Sequence, residues 1–158
     1  MQISVPKVSE VMIIAIGSDH AGFLLKTHLK EFLLNLQYDV RDFGTYDSTS
    51  TDYPDYALLV AKEIADGKAN LGLLVCGTGV GMSIAANKVK GVRAAAVSEP
   101  SSARLSRQHN NANIVCMGAR VVGPELAEDI LRAFLNNDFS NGERHNRRIA
   151  KISAMEGE

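Results

Sequence analysis

The sequence predicts an α/β protein, a Rossmann-like, doubly wound three-layer sandwich around a five-stranded parallel sheet. Three observations carry that expectation. Short apolar runs alternate with segments of helical periodicity from Val11 onward. The clearest of those runs are apolar at nearly every position, as in strands covered on both faces. No internal repeat, low-complexity tract or linker breaks the series, so one domain is expected over residues 11–158.

Residues 11–16, Val-Met-Ile-Ile-Ala-Ile, read as the first strand. Leu25, Leu29, Phe32, Leu33 and Leu36 then recur at three- and four-residue spacing, with Lys26, Lys30 and Glu31 on the other side: an amphipathic helix. Residues 38–43 form a shorter, more polar strand suited to a sheet edge. Pro54, well tolerated in a first turn, opens a helix through Ala57, Leu58, Ala61 and Ile64 towards Gly67. Residues 71–76 make a third strand, followed by a glycine-rich turn and a helix over 82–89. A fourth strand over 92–97 leads to a helix over 101–107. A fifth strand over 114–117 leads to a helix over 124–135. A basic helix over 143–155 closes the chain. Residues 1–10, mixed in polarity, read as a loose extension. Right-handed crossovers place helices on both faces of such a sheet. Ligands then bind beyond the carboxyl ends of the strands, at residues 17–22, 44–55, 76–81, 98–100 and 117–123.

Composition removes several function classes. The chain is 46% hydrophobic and 22% charged, and seventeen Lys and Arg against eighteen Asp and Glu leave a net charge of -1. A basic field is what draws a protein to nucleic acid or an anionic membrane, so neither is expected as a partner. Cys76 and Cys116 make neither a disulfide framework nor a zinc spacing. Reduced thiols, a cytoplasmic address and no metal or other cofactor are the expectation. Residues 1–10 lack the apolar segment of a signal peptide, and 11–16 is far too short to cross a bilayer.

Cys76-Gly77-Thr78-Gly79-Val80-Gly81 is the most informative segment. Alternate glycines let the backbone turn tightly and approach a ligand. The helix that follows points free amides at an anion, as an oxyanion hole does. At the strand end Cys76 sits where a thiolate is favoured; alternatively it is a small core residue before a tight turn. The glycines are neither a P-loop nor a dinucleotide fingerprint, although Glu99 stands where the latter places its ribose-binding acid, about twenty residues on.

Asp19 and His20 lie at the first strand-to-helix junction, either as a helix N-cap and its neighbour or as a polar pair handling substrate hydroxyls or phosphate. His109 ends a helix, where the dipole favours its charged form, and it also suits acid-base work on a sugar ring. Arg144 and Arg148, four apart, share a helix face that is either solvated or a clamp for a dianionic phosphate; His145, Arg147 and Lys151 extend the cluster. Cys116 and His28 read as structural.

Together these segments resemble the ribose-5-phosphate isomerase B family, to which galactose-6-phosphate and allose-6-phosphate isomerases are related. The likeness rests on G-S-D-H-A-G-F at 17–23, T-D-Y-P-D-Y-A at 51–57 and C-G-T-G-V-G-M-S-I-A-A-N-K at 76–88. S-E-P, S-R-Q-H-N and G-A-R-V-V-G follow in order, and E-R-H-N-R-R-I at 143–149 closes the set. The resemblance implies an aldose-ketose isomerase, interconverting ribose 5-phosphate and ribulose 5-phosphate in the pentose phosphate pathway without a cofactor. It implies that Cys76 is the base, taking the proton from C2 and returning it to C1. Gly77, Thr78, Gly79 and Gly81 match the loop that holds the enediolate oxygens. Asp19 and His109 match residues that open the furanose ring, and Asn110 a substrate contact beside the latter. His20, Arg144 and Arg148 match phosphate contacts, His145 and Arg120 are further matches of that kind, and Tyr46 matches a position that lines the sugar site in some relatives. Relatives that lack the cysteine use a glutamate further along the loop; here position 80 is Val. The family assembles its site from two subunits, so a homodimer, or a tetramer of paired dimers, is also implied. An isomerase of a six-carbon sugar phosphate and a non-catalytic phosphate- or nucleotide-binding module are the alternatives.

Overall fold

A computed structural model describes residues 11–157, and the expected extension over 1–10 lies outside them. The apolar runs pair as one all-parallel sheet: β1 (Ile13–Ser18), β2 (Asp39–Asp42), β3 (Leu71–Cys76), β4 (Ala94–Ala96) and β5 (Ile114–Gly118), in the order β2-β1-β3-β5-β4. Between and after them run α1 (Phe23–Asn35), α2 (Tyr53–Ala65), α3 (Val80–Ala86), α4 (Pro100–Asn110), α5 (Pro124–Leu135) and α6 (Glu143–Ala154).

The two-residue period of a strand sorts the core. Ile14, Ile16, Leu73, Val75, Val115 and Met117 join residues of α1, α4 and α5 on one face. Ala15, Leu74, Cys76, Ile114 and Cys116 join α2 and α3 on the other. Each fully buried branched side chain contributes about 1.5–3 kcal/mol, which sets the register strongly. Among the described residues no helix is long and apolar enough to cross a membrane.

β3 and α5 coincide with the sequence reading, and β2 lies at an edge as expected. β4 is three residues rather than six, and at its start a side-chain amide takes the place of a ladder carbonyl. Asn87 brackets Ala94, accepting from its amide and donating to its carbonyl, while Asn113 accepts from Arg93 N. β1 starts two residues late, with Val11 exposed, and its ladder to β2 begins at Ile13. α3 starts early, because Gly79 turns the chain at φ 81°, and it ends at Ala86. Leu36 and Leu58, read as apolar-face positions, are exposed. Lys26, read as a solvent-face residue, is instead 1% exposed, because Asp42 and the Thr45 carbonyl receive its ammonium.

Candidate active site

Register places the first group of residues. Ser18 lies opposite Val75 and Cys76 opposite Gly118, so Asp19, Cys76 and Gly118 lie level at the ends of three adjacent strands. The chain leaves β1 for α1 on one face and β3 for α3 on the other. That divergence opens a crevice at the carboxyl edge.

Cys76 ends β3, nearly buried, and its Sγ accepts a hydrogen bond from Gly79 N at 3.1 Å. An amide aimed at sulfur complements a thiolate. Only glycine fits at 79: φ is 81° and a Cβ would stand 2.9 Å from the Met117 carbonyl carbon. Val80 N donates to Thr78 Oγ1 at 3.3 Å, which leaves that hydroxyl's own proton available to a ligand. Gly79 and Val80 amides are thus engaged within the turn, while Gly81 and Met82 open the helix as amides without intrahelical partners. The Arg120 guanidinium lies over Gly77, within 3.2 Å of where a Cβ would be, and Arg120 N donates to Gly77 O at 3.0 Å.

Asp19 is buried, and its Oδ1 accepts from Gly22 N at 3.0 Å. It is not the cap of α1, a position Gly22 takes. His20 Nδ1 accepts from Thr51 N at 3.2 Å, so the ring's proton sits on Nε2, which can donate to a ligand oxygen. Thr51 Oγ1 in turn donates to Tyr56 Oη at 3.0 Å, which gives the 51–57 segment a physical task. Tyr46 is 70% exposed at the mouth, its hydroxyl donating to Asp42 O.

A second group lies at the opposite edge. A helix between parallel strands runs against them, so the last turn of α4 returns to the strands' amino ends. The bonds of Asn113 with Gly72 and Arg93 fix that return. His109 therefore stands below the sheet, stacked on His145 with ring centroids 4.3 Å apart and planes 11° from parallel. Arg144 Nε donates to His145 Nε2 at 3.4 Å. His145 is buried, and desolvation first, then His109, Arg144 and Arg148, hold its proton affinity below the ordinary histidine value. Ser140 donates twice to Gln108 O, tying the approach to α6 to the end of α4. Arg144 and Arg148 are exposed one turn apart. Asn110 shares a groove with Arg93, Ile152 and Met155.

Of the residues singled out in the sequence, the structure gathers Asp19, His20, Tyr46, Cys76, Gly77, Thr78, Gly79, Gly81 and Arg120 at the carboxyl edge. His109, Asn110, Arg144, His145 and Arg148 gather at the amino edge. A six-residue strand, about 20 Å, separates the two sets within one chain. Sequence reasoning missed Thr51 and Gly118; a Cβ at Gly118 would stand 2.6 Å from the Thr78 backbone. The signal for Thr51 was its place in a motif with no local role.

Three other residues resolve more simply. Glu99 is the N-cap of α4, accepting from Ser102 N at 2.8 Å, on the far side of β5 from the Cys76 turn. Cys116 is fully buried, and desolvation pushes its thiol far up. His28 pairs with Glu128 at 3.5 Å.

The family model described as Ribose/Galactose Isomerase matches residues 14–152. Ribose-5-phosphate isomerase B of Escherichia coli (strain K12) is 50% identical over 143 residues, 90% of this chain and 95% of that protein. The solved structure of ribose-5-phosphate isomerase B from Clostridium thermocellum superposes with a TM-score of 0.90 at 49% identity, covering 92% of this chain and 97% of that one. A D-erythrulose-4-phosphate isomerase of Pectobacterium atrosepticum is 46% identical over 82% of this chain and 86% of its own.

Proposed function

This chain belongs to the ribose/galactose isomerase family, and on that premise we propose that it interconverts ribose 5-phosphate and ribulose 5-phosphate through an enediolate, with Cys76 as the base. The observation that carries the reading is the Cys76 turn, a sulfur held by an amide at a strand end, where the connections from β1 and β3 leave on opposite faces of the sheet.

The chemistry asks for a base, a proton donor and fixed dipoles for the oxyanion. Cys76 thiolate takes the proton from C2 of the opened aldose; the electron pair moves onto O1 through the new C1–C2 double bond. Amides of the glycine turn and the Thr78 hydroxyl face that oxygen. Cys76 then returns the proton to C1 while the O2 hydroxyl proton passes to O1, which leaves O2 as the ketone and O1 as the hydroxyl. Asp19 and His109 open the ring, and Asn110 contacts the sugar beside His109. Tyr46 lines the site, while His20, Arg120, Arg144 and Arg148 hold the phosphate, whose binding energy fixes the reacting carbons. His145, stacked and buried, braces Arg144.

The distance between the two edges supports a homodimer in which His109 of the partner subunit completes the site, with a tetramer as paired dimers. Val80 and Ile84, 52% and 58% exposed beside the Cys76 turn, supply apolar surface for such a contact. Two reduced cysteines and a small phosphorylated substrate support a cytoplasmic address. The exposed Tyr46 leaves the mouth open, which favours a six-carbon sugar phosphate as the second reading.

The test is conversion of ribose 5-phosphate by purified protein with a chelator present. Turnover is expected. Turnover of allose or galactose 6-phosphate alone would move the assignment to the second reading.

A further inference from the structure

Lys26, at 1% exposure, is among the largest fully buried side chains in the described molecule and the one that carries a charge. Burying an ammonium is costly unless it is paired and hydrogen-bonded. Lys26 meets that condition with the loop at the mouth of the site. Its Nζ donates to Asp42 Oδ1 at 2.7 Å and to the Thr45 carbonyl, and it lies 5.4 Å from the centroid of the Tyr46 ring. The same Asp42 oxygen accepts from Gly44 N at 2.9 Å, and the Asp42 carbonyl accepts the Tyr46 hydroxyl at 2.9 Å. The loop is bonded on its other side to the end of β1: Ser18 N donates to Gly44 O at 2.7 Å, and Thr45 N to Ser18 O at 2.8 Å.

Stability alone does not account for this lysine. Replacing a buried ion pair with apolar groups is often neutral or stabilising, and Asp42 already has a second cation in Lys30, 3.3 Å away and half-exposed. What Lys26 adds is direction. It is the one side chain that joins Asp42, the Thr45 carbonyl and the face of Tyr46.

We propose that Lys26 is a positioning residue for the sugar site, holding the 44–46 loop against β1 so that Tyr46 is presented over the crevice containing Cys76. The inference rests on the isomerase reading above. Lys26 touches no substrate, so its effect runs through Tyr46 and falls on substrate binding more than on proton transfer.

The test is a steady-state comparison on ribose 5-phosphate of four variants: Lys26→Met, Lys26→Met with Asp42→Asn, Tyr46→Ala, and Tyr46→Ala with Lys26→Met. The double Lys26/Asp42 change leaves no unpaired buried charge and decides the matter if the single change fails to fold. KM is expected to rise about tenfold in the Lys26 variants, with kcat changed less than about threefold. In the Tyr46→Ala background, Lys26→Met should add less than about twofold. A lower Tm with KM unmoved overturns the inference and leaves Lys26 a packing residue. A full Lys26 effect on top of Tyr46→Ala overturns it as well. A parent that does not turn over ribose 5-phosphate overturns the isomerase reading and this inference together, whereas an active parent with unmoved KM in the variants overturns this inference alone.

Discussion

The two edges of the sheet carry the two halves of the candidate site by different physical means. At the carboxyl edge the backbone does the placing: strand register aligns Asp19, Cys76 and Gly118, and a left-handed glycine aims an amide at Cys76. At the amino edge side chains do it, with His109 stacked on His145, His145 bonded to Arg144, and Ser140 tied to Gln108. The carboxyl edge holds the Cys76 sulfur and the amides of the glycine turn. The amino edge holds imidazoles and exposed guanidinium groups. The strand between them keeps the two sets apart within one chain, and the proposed homodimer would join one molecule's carboxyl edge to another's amino edge.

The largest expected effect tests the carboxyl edge alone. Cys76→Ala should lower kcat on ribose 5-phosphate at least about a hundredfold, the lower range for loss of a general base. Cys116→Ala, two residues along the neighbouring strand and on the same face, should cost only stability, about 1–2 kcal/mol, with kcat within about twofold. Equal losses in both would mean that the thiol at position 76 acts through packing.

Joining the edges is tested by complementation. Cys76→Ala protein and protein carrying His109→Asn with Arg148→Met should each be nearly inactive. Co-expressed dimers should recover about a quarter of parental activity, since half are mixed and each mixed dimer has one intact site of two. No recovery in mixed dimers verified by mass would place the whole site within one chain.

Asp19 separates ring opening from proton transfer. Asp19→Asn keeps an acceptor for Gly22 N while removing the carboxylate. On ribose 5-phosphate it should lose about tenfold to a hundredfold in kcat. Erythrose 4-phosphate has its O4 esterified and cannot close a furanose ring, so on it the loss should stay below about threefold. Equal losses on both substrates would move Asp19 from ring opening to the enediolate step.

The same contrast explains what was legible in the sequence. β3 and α5 were readable to the residue because unbroken apolar periodicity ran between clear glycine and proline boundaries. The Cys76 turn was readable because backbone geometry is written in glycines. β4 was read too long because nothing local says that the Asn113 side chain will take the Arg93 amide out of the ladder. Lys26 was misread because periodicity counts a lysine as solvent-facing, and its partners Asp42 and Thr45 come from a segment sixteen or more residues away. The gap between Cys76 and His109 had a signal in the reversal of α4 against its strands, but it becomes visible only once the topology is in place.

The smallest expected effect belongs to the amino edge and concerns proton uptake. His145 has a proton affinity held below the ordinary value of 6.5, by desolvation first and by His109 and the two arginines after it. Just below pH 6.5 the unfolded chain binds a proton at this position that the folded chain refuses. Stability is therefore fully present above that pH and declines as pH falls through the window beneath it. His145→Phe keeps a flat ring against His109 and removes the titration. Its Tm should fall less steeply than the parent's between about pH 7 and pH 5, with a small difference because a single histidine is involved. A parallel slope in both proteins would assign the acid sensitivity to other groups, and the stacked pair would then be a brace for Arg144 without a role in acid stability.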